Sequence, residues 1–504
     1  MTSKPTATIW EPLFQRSAQG GISLQARIRQ MLVAAVLDGQ LPAGIPIPSS
    51  RELAEHLHVA RNTVVLAYQQ LVDEGFLISR ERSGFFVNPQ ALAGRVRSVS
   101  SDERLARGTP PSWRRRFRFQ PSQQRNIVKR ADWQKYPYPF LYGQFDPSLF
   151  PTADWRECCL KALSVLDIRD WAPDLIFSDD ASLIHQVQAR VLPRRGVWAV
   201  PDEIVVTVGA QQALYLLADL LMTSGTVVGI EDPGYPDARN AFASRDAQLV
   251  RLPVDDSGLV LDEALHRCQY VYVTPSHQCP TTVTMPLARR EALLAAVEQS
   301  DAVVIEDDYE SENRFEGEPT PALKSLDRND RVIYVGSLSK TFAPGLRVGY
   351  IVGPADLIAE VRALRRLVLR HPSTFVQRAF SLFLSLGHHD ALLRRLSATY
   401  RERAGALCAA LERHLPEARF VPTSGGASCW VVGPAWLDAA ELARNAESQG
   451  VLIEPGDVFH MSEGSGRNAF RLGYSSIPVA RIEAGVRVLA AAMHRMKPVA
   501  HRVS

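Results

Sequence analysis

A chain of 504 residues, 46% hydrophobic and 22% charged, exceeds what one ordinary core organises and predicts at least two globular folding units. No apolar run is long enough to span a bilayer, the start MTSKPTATIWEPLF lacks the apolar stretch of a signal peptide, and six cysteines without CxxC spacing (Cys158, Cys159, Cys268, Cys279, Cys408, Cys429) make neither a zinc site nor a disulfide framework; a cytoplasmic protein with reduced thiols, no metal and no membrane partner is expected. The net charge of +3 hides a split, because residues 1–135 carry 20 Lys and Arg against 10 Asp and Glu while the remainder carries 37 against 44, so the front of the chain suits a polyanion better than the rest does.

Residues 24–36 put Leu24, Ile28, Met31, Leu32, Ala35 and Val36 at helical spacing, and Gly39 with Pro42 stops the element. In Pro48-Ser49-Ser50-Arg51-Glu52-Leu53-Ala54-Glu55-His56-Leu57, Ser49 and Glu52 have the spacing of a capping box at the start of a second helix. After His58-Val59-Ala60 a third helix opens with Arg61-Asn62-Thr63 and keeps Val64, Ala67, Tyr68 and Leu71 on one face. Two short helices across a tight turn make a helix-turn-helix, and the polar residues gather at the end that meets base edges when such a helix enters the major groove. From Gly75 onward, Phe76-Leu77-Ile78 and Phe85-Phe86-Val87 flank Ser83-Gly84 as a hairpin would, with Arg80 and Arg82 near its tip, placed to grip phosphates or enter the minor groove.

This run closely resembles the GntR family of winged helix-turn-helix domains, whose wording PSSRELAxxLxVxRNTVxxAYxxLxxEGxL it nearly reproduces. It departs at His58, where many members have Gly, and at Ala60, where many have Ser. The resemblance implies a DNA-binding domain over residues 20–90, with Arg51, Arg61, Asn62, Thr63, Arg80 and Arg82 contacting double-stranded DNA.

Residues 91–135 lose clear periodicity and gather Arg, Ser and Pro, including Pro110-Pro111 and Arg114-Arg115-Arg116-Phe117-Arg118. This composition predicts a linker, flexible at least in part, whose arginines either keep it solvated or add phosphate contacts.

From about residue 200, β-rich runs at 204–208, 227–230, 248–252, 270–274, 303–306 and 332–335 alternate with helical stretches, which predicts parallel pairing in an α/β layered domain with its chemistry at the carboxyl ends of the strands. Those ends carry Gly209-Ala210-Gln211, a glycine turn opening a helix and suited to a phosphate; Tyr235; His277 and Gln278; Glu306-Asp307-Asp308-Tyr309; and Ser337-Leu338-Ser339-Lys340. The chain has only seven lysines against fifty arginines, and Lys340 alone among them sits between small hydroxyl and glycine residues after a predicted buried strand, where an amine loses its proton and attacks an aldehyde.

Taken in this order, the set resembles the fold-type I aminotransferases over roughly residues 140–495, with the domain placed at 136–495 and a mostly parallel seven-stranded sheet expected. The resemblance implies pyridoxal 5′-phosphate as cofactor: Lys340 would form the internal aldimine, Asp307 would pair with the pyridine nitrogen, Tyr309 would hydrogen-bond the phenolic oxygen, and Tyr235 would stack on the ring. Gly209, Ala210 and Gln211, with Ser337, Ser339 and Arg347, would hold the phosphate, and Arg471 in Phe470-Arg471-Leu472-Gly473-Tyr474 would clamp an effector carboxylate. The pattern departs after the fourth strand, where Cys279-Pro280-Thr281-Thr282 has neither asparagine before the proline nor glycine after the threonine, and this bears on the cofactor contact assigned to His277 or Gln278.

A GntR-like head on an aminotransferase-like body is similar to the MocR regulators. The likeness implies a homodimer, with the head of one subunit lying on the body of the other, that binds an operator of repeated half-sites and responds to pyridoxal phosphate or to an amine or amino acid. A second reading keeps transamination as the role, with the head as an accessory.

Overall fold

The computed structural model describes residues 10–16, 22–81, 83–92, 111–310, 312, 314–315, 320–422 and 425–498. Arg82 and the linker residues 93–110 lie outside the described residues. The chain divides into two compact units, Met1–Phe117 and Arg118–Ser504. No helix among the described residues is long and apolar enough to cross a membrane, and none of their His, Cys, Asp and Glu side chains group as a metal site.

Among its described residues the first unit has the α-helices α1 (Trp10–Arg16), α2 (Leu24–Leu37), α3 (Ser50–Leu57) and α4 (Arg61–Asp73), followed by strands β1 (Leu77–Arg80) and β2 (Gly84–Val87). The capping box is formed at α3: the Glu52 N–H donates to Ser49 Oγ at 3.2 Å and the Ser49 N–H donates to Glu52 Oε2 at 2.9 Å. α3 ends at His58, which takes the left-handed conformation (φ 53°) that glycine supplies most easily. Ile28, Met31, Leu32, Leu53, Leu57, Val64, Tyr68 and Leu71 bury one face of each helix in a shared core closed by Leu77 and Val87 of the hairpin. Tyr68 is fixed there by donating its hydroxyl to Pro48 O at 2.9 Å.

In the second unit, β3 (Tyr138–Pro139) pairs parallel with β14 (Val451–Leu452), apart from the main sheet. That sheet contains β4 (Ile204–Thr207), β5 (Val227–Asp232), β6 (Gln248–Asp255), β7 (Gly258–Leu259), β8 (Tyr270–Val273), β9 (Val303–Asp308), β10 (Val332–Ser337) and β11 (Gly349–Val352), in the order β4-β11-β10-β9-β8-β5-β6-β7. β10, β9, β8, β5 and β6 run parallel; β11 is antiparallel to both of its neighbours. The six β-rich runs of the sequence are all strands, and β11 supplies a seventh that sequence periodicity did not locate. An eighth, the two-residue β7, exists because Ser257 N–H donates to Asp255 Oδ1 and Gly258 adopts φ +89°, folding the end of β6 back on itself. A second antiparallel sheet has the order β12 (Arg419–Phe420), β13 (Ser428–Val432), β16 (Ala469–Gly473), β15 (Glu454–Pro455). Helices His388–His414 and Val479–Arg495 pack together, and Leu407, Leu411, Val486, Leu489 and Met493 belong to the core they share.

The linker expected at 91–135 differs in its second half. Residues 118–135 belong to the second unit and are strapped to it: Arg118 donates to Ser244 O, Gln124 to Asn240 O, Arg125 to Asp457 O and His460 O, and Arg130 to Glu447. Polar composition predicts a segment flexible at least in part, because its hydrogen-bond partners lie 116 to 335 residues further along the chain and leave no local signal.

Candidate functional site

The first unit presents its polar residues where the sequence placed them. Arg51, Arg61 and Asn62 are exposed and Thr63 half-buried, clustered at the start of α3 and of α4, with Arg61 Nε 3.5 Å from Ser50 Oγ. Arg51 is held by Glu55 of the next turn at 3.3 Å, an exposed pair worth little and easily exchanged for a phosphate. The cap position of α4 is Ala60, which makes no side-chain bond to the helix start, so the first N–H groups of α4 keep no side-chain acceptor of their own. In the wing, Arg80 is exposed and its guanidinium lies 4.6 Å from the Phe86 ring centre; Arg82 is outside the described residues.

In the second unit, the carboxyl ends of the parallel strands surround a cavity of about 290 Å³. Its wall includes Ala210, Gln211, Tyr235, Asp307, Tyr309, Ser337, Ser339, Lys340, Arg347 and Arg471, all singled out in the sequence. Gly209 stands behind the wall at the start of helix α5 (Gly209–Leu221), at φ +72°; a methyl group on it would come within 2.9 Å of the Arg347 guanidinium. Arg347 is aimed by donating to Val208 O at 3.1 Å. Ser339 lines the cavity, but its hydroxyl is already bound to the Val348 backbone, as donor to the carbonyl and acceptor from the N–H.

The three acids ending β9 are sorted by the strand's period of two. Glu306 and Asp308 share one face, where Glu306 accepts from the N–H groups of Leu323 and Lys324 and Asp308 accepts from Arg195 Nε at 2.7 Å and from the Tyr334 hydroxyl. Asp307 points to the other face, into the cavity. Its Oδ2 accepts from the Tyr272 hydroxyl at 2.8 Å, and its buried Oδ1 has no partner. Burial pushes the Asp307 carboxyl up to about 6 against the opposing Tyr272 bond. Burial likewise brings the Lys340 amine down to about 8, with Glu310 pulling the other way and Lys129 and Arg471 adding to the depression. Lys340 Nζ lies 3.1 Å from the Tyr142 hydroxyl and 5.1 Å from the Tyr309 ring centre.

His277 is not in the cavity wall. It is buried behind Tyr309, ring centres 6.3 Å apart, and burial together with the Arg471 charge holds it down at about 4. It is therefore neutral, and its 3.6 Å approach to Glu310 is not an ion pair. Gln278 is occupied with Glu231, Pro233 O and Thr281. The residue that reaches the cavity from this loop is Cys279, at the place before proline where the sequence lacked an asparagine.

Sequence reasoning also missed Ile127, Lys129, Tyr142, Asp237 and Pro344 in the wall. Lysine rarity could have flagged Lys129; nothing local distinguishes Tyr142, which enters from the segment after β3. Arg471 is buried with its Nε donating to Glu454 Oε2 at 2.8 Å, and its guanidinium lies over the rings of Tyr142 (4.3 Å) and Phe459 (4.7 Å).

The residues present fit pyridoxal phosphate. Asp307 offers an unsatisfied buried oxygen to a protonated ring nitrogen, the open start of α5 with Arg347 and Ser337 suits a phosphate, and Lys340 is an amine depressed towards its reactive form.

The fold and site define a DNA-binding head joined to an aminotransferase-like domain, and comparison with known proteins agrees. Residues 24–87 match the model for bacterial regulatory proteins of the gntR family, and residues 181–489 match aminotransferase class I and II. The HTH-type transcriptional regulator TauR of Rhodobacter capsulatus is 43% identical over 472 residues, covering 94% of this chain and 96% of that protein. The "Probable rhizopine catabolism regulatory protein MocR" of Rhizobium meliloti is 32% identical over 480 residues, covering 94% of each. The structure of LysN, the α-aminoadipate aminotransferase of Thermus thermophilus complexed with N-(5′-phosphopyridoxyl)-L-leucine, superposes with a TM-score of 0.68 at 30% identity, over 77% of this chain and 99% of that one. This chain belongs to the MocR-type branch of the GntR transcriptional regulators, with a winged helix-turn-helix ahead of an aminotransferase class I and II domain.

Proposed function

We propose that this regulator holds pyridoxal 5′-phosphate at Lys340 and that an amine or amino-acid effector, or the cofactor itself, sets its affinity for an operator of repeated half-sites. The observation that carries this is the meeting, in one cavity, of a depressed lysine amine, a buried carboxylate with a free oxygen, and an arginine beside a helix start, in a chain whose other unit is a GntR head. When bound, the cofactor supplies an aldehyde for a primary amine to condense with. Lys340 is the amine held ready, Asp307 holds the ring nitrogen's proton, Arg347 and the start of α5 hold the phosphate, and Arg471 orients an effector's carboxylate. Arg51, Arg61, Asn62, Thr63 and Arg80 are assigned to DNA, with Arg82 of the wing. Two copies of the head, in a homodimer whose heads lie on the bodies of the opposite subunits, would read the two half-sites.

An effector that binds one arrangement of the dimer better than another must shift DNA affinity, and DNA must shift effector affinity by the same factor. The test is footprinting of DNA upstream of the protein's own gene while pyridoxal phosphate and a panel of amines and amino acids are titrated. A ligand-dependent footprint, lost in Lys340→Ala, is expected; a footprint indifferent to every ligand contradicts the reading. The intact Lys340, Asp307 and Arg471 set also favours a second reading, an active aminotransferase with an accessory head, which predicts sustained turnover of an amino acid and a keto acid by the purified protein.

A further inference from the structure

The wall of the cavity carries two cations, Lys129 and Arg471, beyond the Lys340 and Arg347 assigned to the cofactor. Three cations gather on the Tyr142 ring: the Arg471 guanidinium carbon is 4.3 Å from its centre, Lys340 Nζ 4.4 Å and Lys129 Nζ 5.7 Å. The two amines converge further, since a methyl group placed on Gly143 would stand 3.3 Å from Lys129 Nζ and 4.0 Å from Lys340 Nζ.

The acids of the wall and its surroundings keep their charge but hydrogen-bond elsewhere. Asp307 accepts from the Tyr272 hydroxyl at 2.8 Å, Asp237 accepts from the Tyr235 hydroxyl at 3.0 Å, and Glu310 accepts from the Tyr142 hydroxyl at 3.2 Å. That leaves Glu454 between Arg471 and Lys129. Arg471 Nε donates to Glu454 Oε2 at 2.8 Å, whereas Oε1, buried, accepts no hydrogen bond and has only Lys129 Nζ at 3.6 Å. Lys129 Nζ donates instead to Tyr142 O. Burial, opposed by Glu454 and reinforced by Arg471, holds the Lys129 amine below the ordinary lysine range. Two cations thus share one buried carboxylate, and one of them is imperfectly paired. A partly buried amine so loosely paired gains from a further anion within hydrogen-bond reach.

We infer that Lys129 and Arg471 together form the subsite for the carboxylate of an amino-acid effector, with Glu454 as the internal anion that holds both cations in place until it binds. The inference rests on the cofactor-and-effector reading above and adds to it a second acid-binding residue in an unexpected place. Lys129 belongs to the strap 118–135, which follows directly on the linker from the DNA-binding head and is fastened through Arg118, Gln124 and Arg125. An acid that recruits Lys129 therefore tightens the strap, while an amine without an acid group does not.

The test uses the full-length protein loaded with pyridoxal phosphate. Glycine, β-alanine and 4-aminobutanoate are titrated against methylamine, ethylamine and propylamine, which lack the carboxylate of each. Affinity is read from cofactor absorbance, and amide hydrogen exchange is followed over residues 118–135. In the unaltered protein at least one acid is expected to bind more tightly than its matched amine and to slow exchange in the strap. Lys129→Gln should cut that acid-to-amine preference about tenfold and abolish the slowing, and Lys129→Arg should retain both. A preference unaltered in Lys129→Gln, acid binding with no change in the strap, or no acid preferred in any pair overturns the inference. No absorbance response to any of the six compounds overturns this inference and leaves the cofactor itself as the ligand of the proposed function.

Discussion

Lys340 is poised by burial, and its reactivity has a readable pH dependence. Only the unprotonated amine attacks an aldehyde, so with the group at about 8 the rate of pyridoxal phosphate uptake rises with pH up to that region and levels above it. An ordinary lysine, near 10.5, would keep gaining beyond pH 10, and a bend there in stopped-flow absorbance would contradict the assignment. Asp307→Asn keeps the shape and removes the charge opposite the ring nitrogen; cofactor affinity by equilibrium absorbance should fall about tenfold or more, because a charge-assisted hydrogen bond becomes a neutral one. Lys340, Asp307 and Arg471 were legible because each occurs in a distinctive local string. Cys279, Tyr142 and Lys129 were not, because what makes them site residues is contact across the fold: Tyr142 reaches Lys340, and Lys129 reaches Glu454.

Among the elements, those specified by neighbours in sequence were the most readable. The capping box of α3 needs only Ser49 and Glu52, three residues apart, and it forms as expected. Ser49→Ala should lower the stability of the first unit by about 1 kcal/mol in thermal unfolding followed by circular dichroism. At the start of α4, Arg61→Ala should weaken operator binding and reduce the salt dependence by about one counterion if the side chain meets a phosphate, or relax base preference if it meets a base; binding unaltered in both affinity and specificity would contradict the recognition-helix assignment. The strand β7 and the strap 118–135 escaped sequence reasoning for different reasons. The first is two residues long, below any periodic signal, and the second draws its order from Asn240, Glu447 and Asp457 rather than from its own polar composition.

At the scale of the molecule, the division at Phe117 and Arg118 separates a DNA-binding unit from a cofactor-binding one, each with its own core. Calorimetry should therefore resolve two transitions, of which pyridoxal phosphate raises only the one belonging to the large unit, by about 2.7 kcal/mol of stabilisation at a hundredfold excess over Kd. The charge split between the front and the rest of the chain was readable from composition, since it sums over many residues; the course of the chain between the units was not. The central claim, that Lys340 carries the cofactor, is tested most directly by treating the protein loaded with pyridoxal phosphate with borohydride, digesting it and weighing the peptides. The added pyridoxyl phosphate mass is expected on the peptide containing Lys340; that mass found only elsewhere, or nowhere, would refute the assignment.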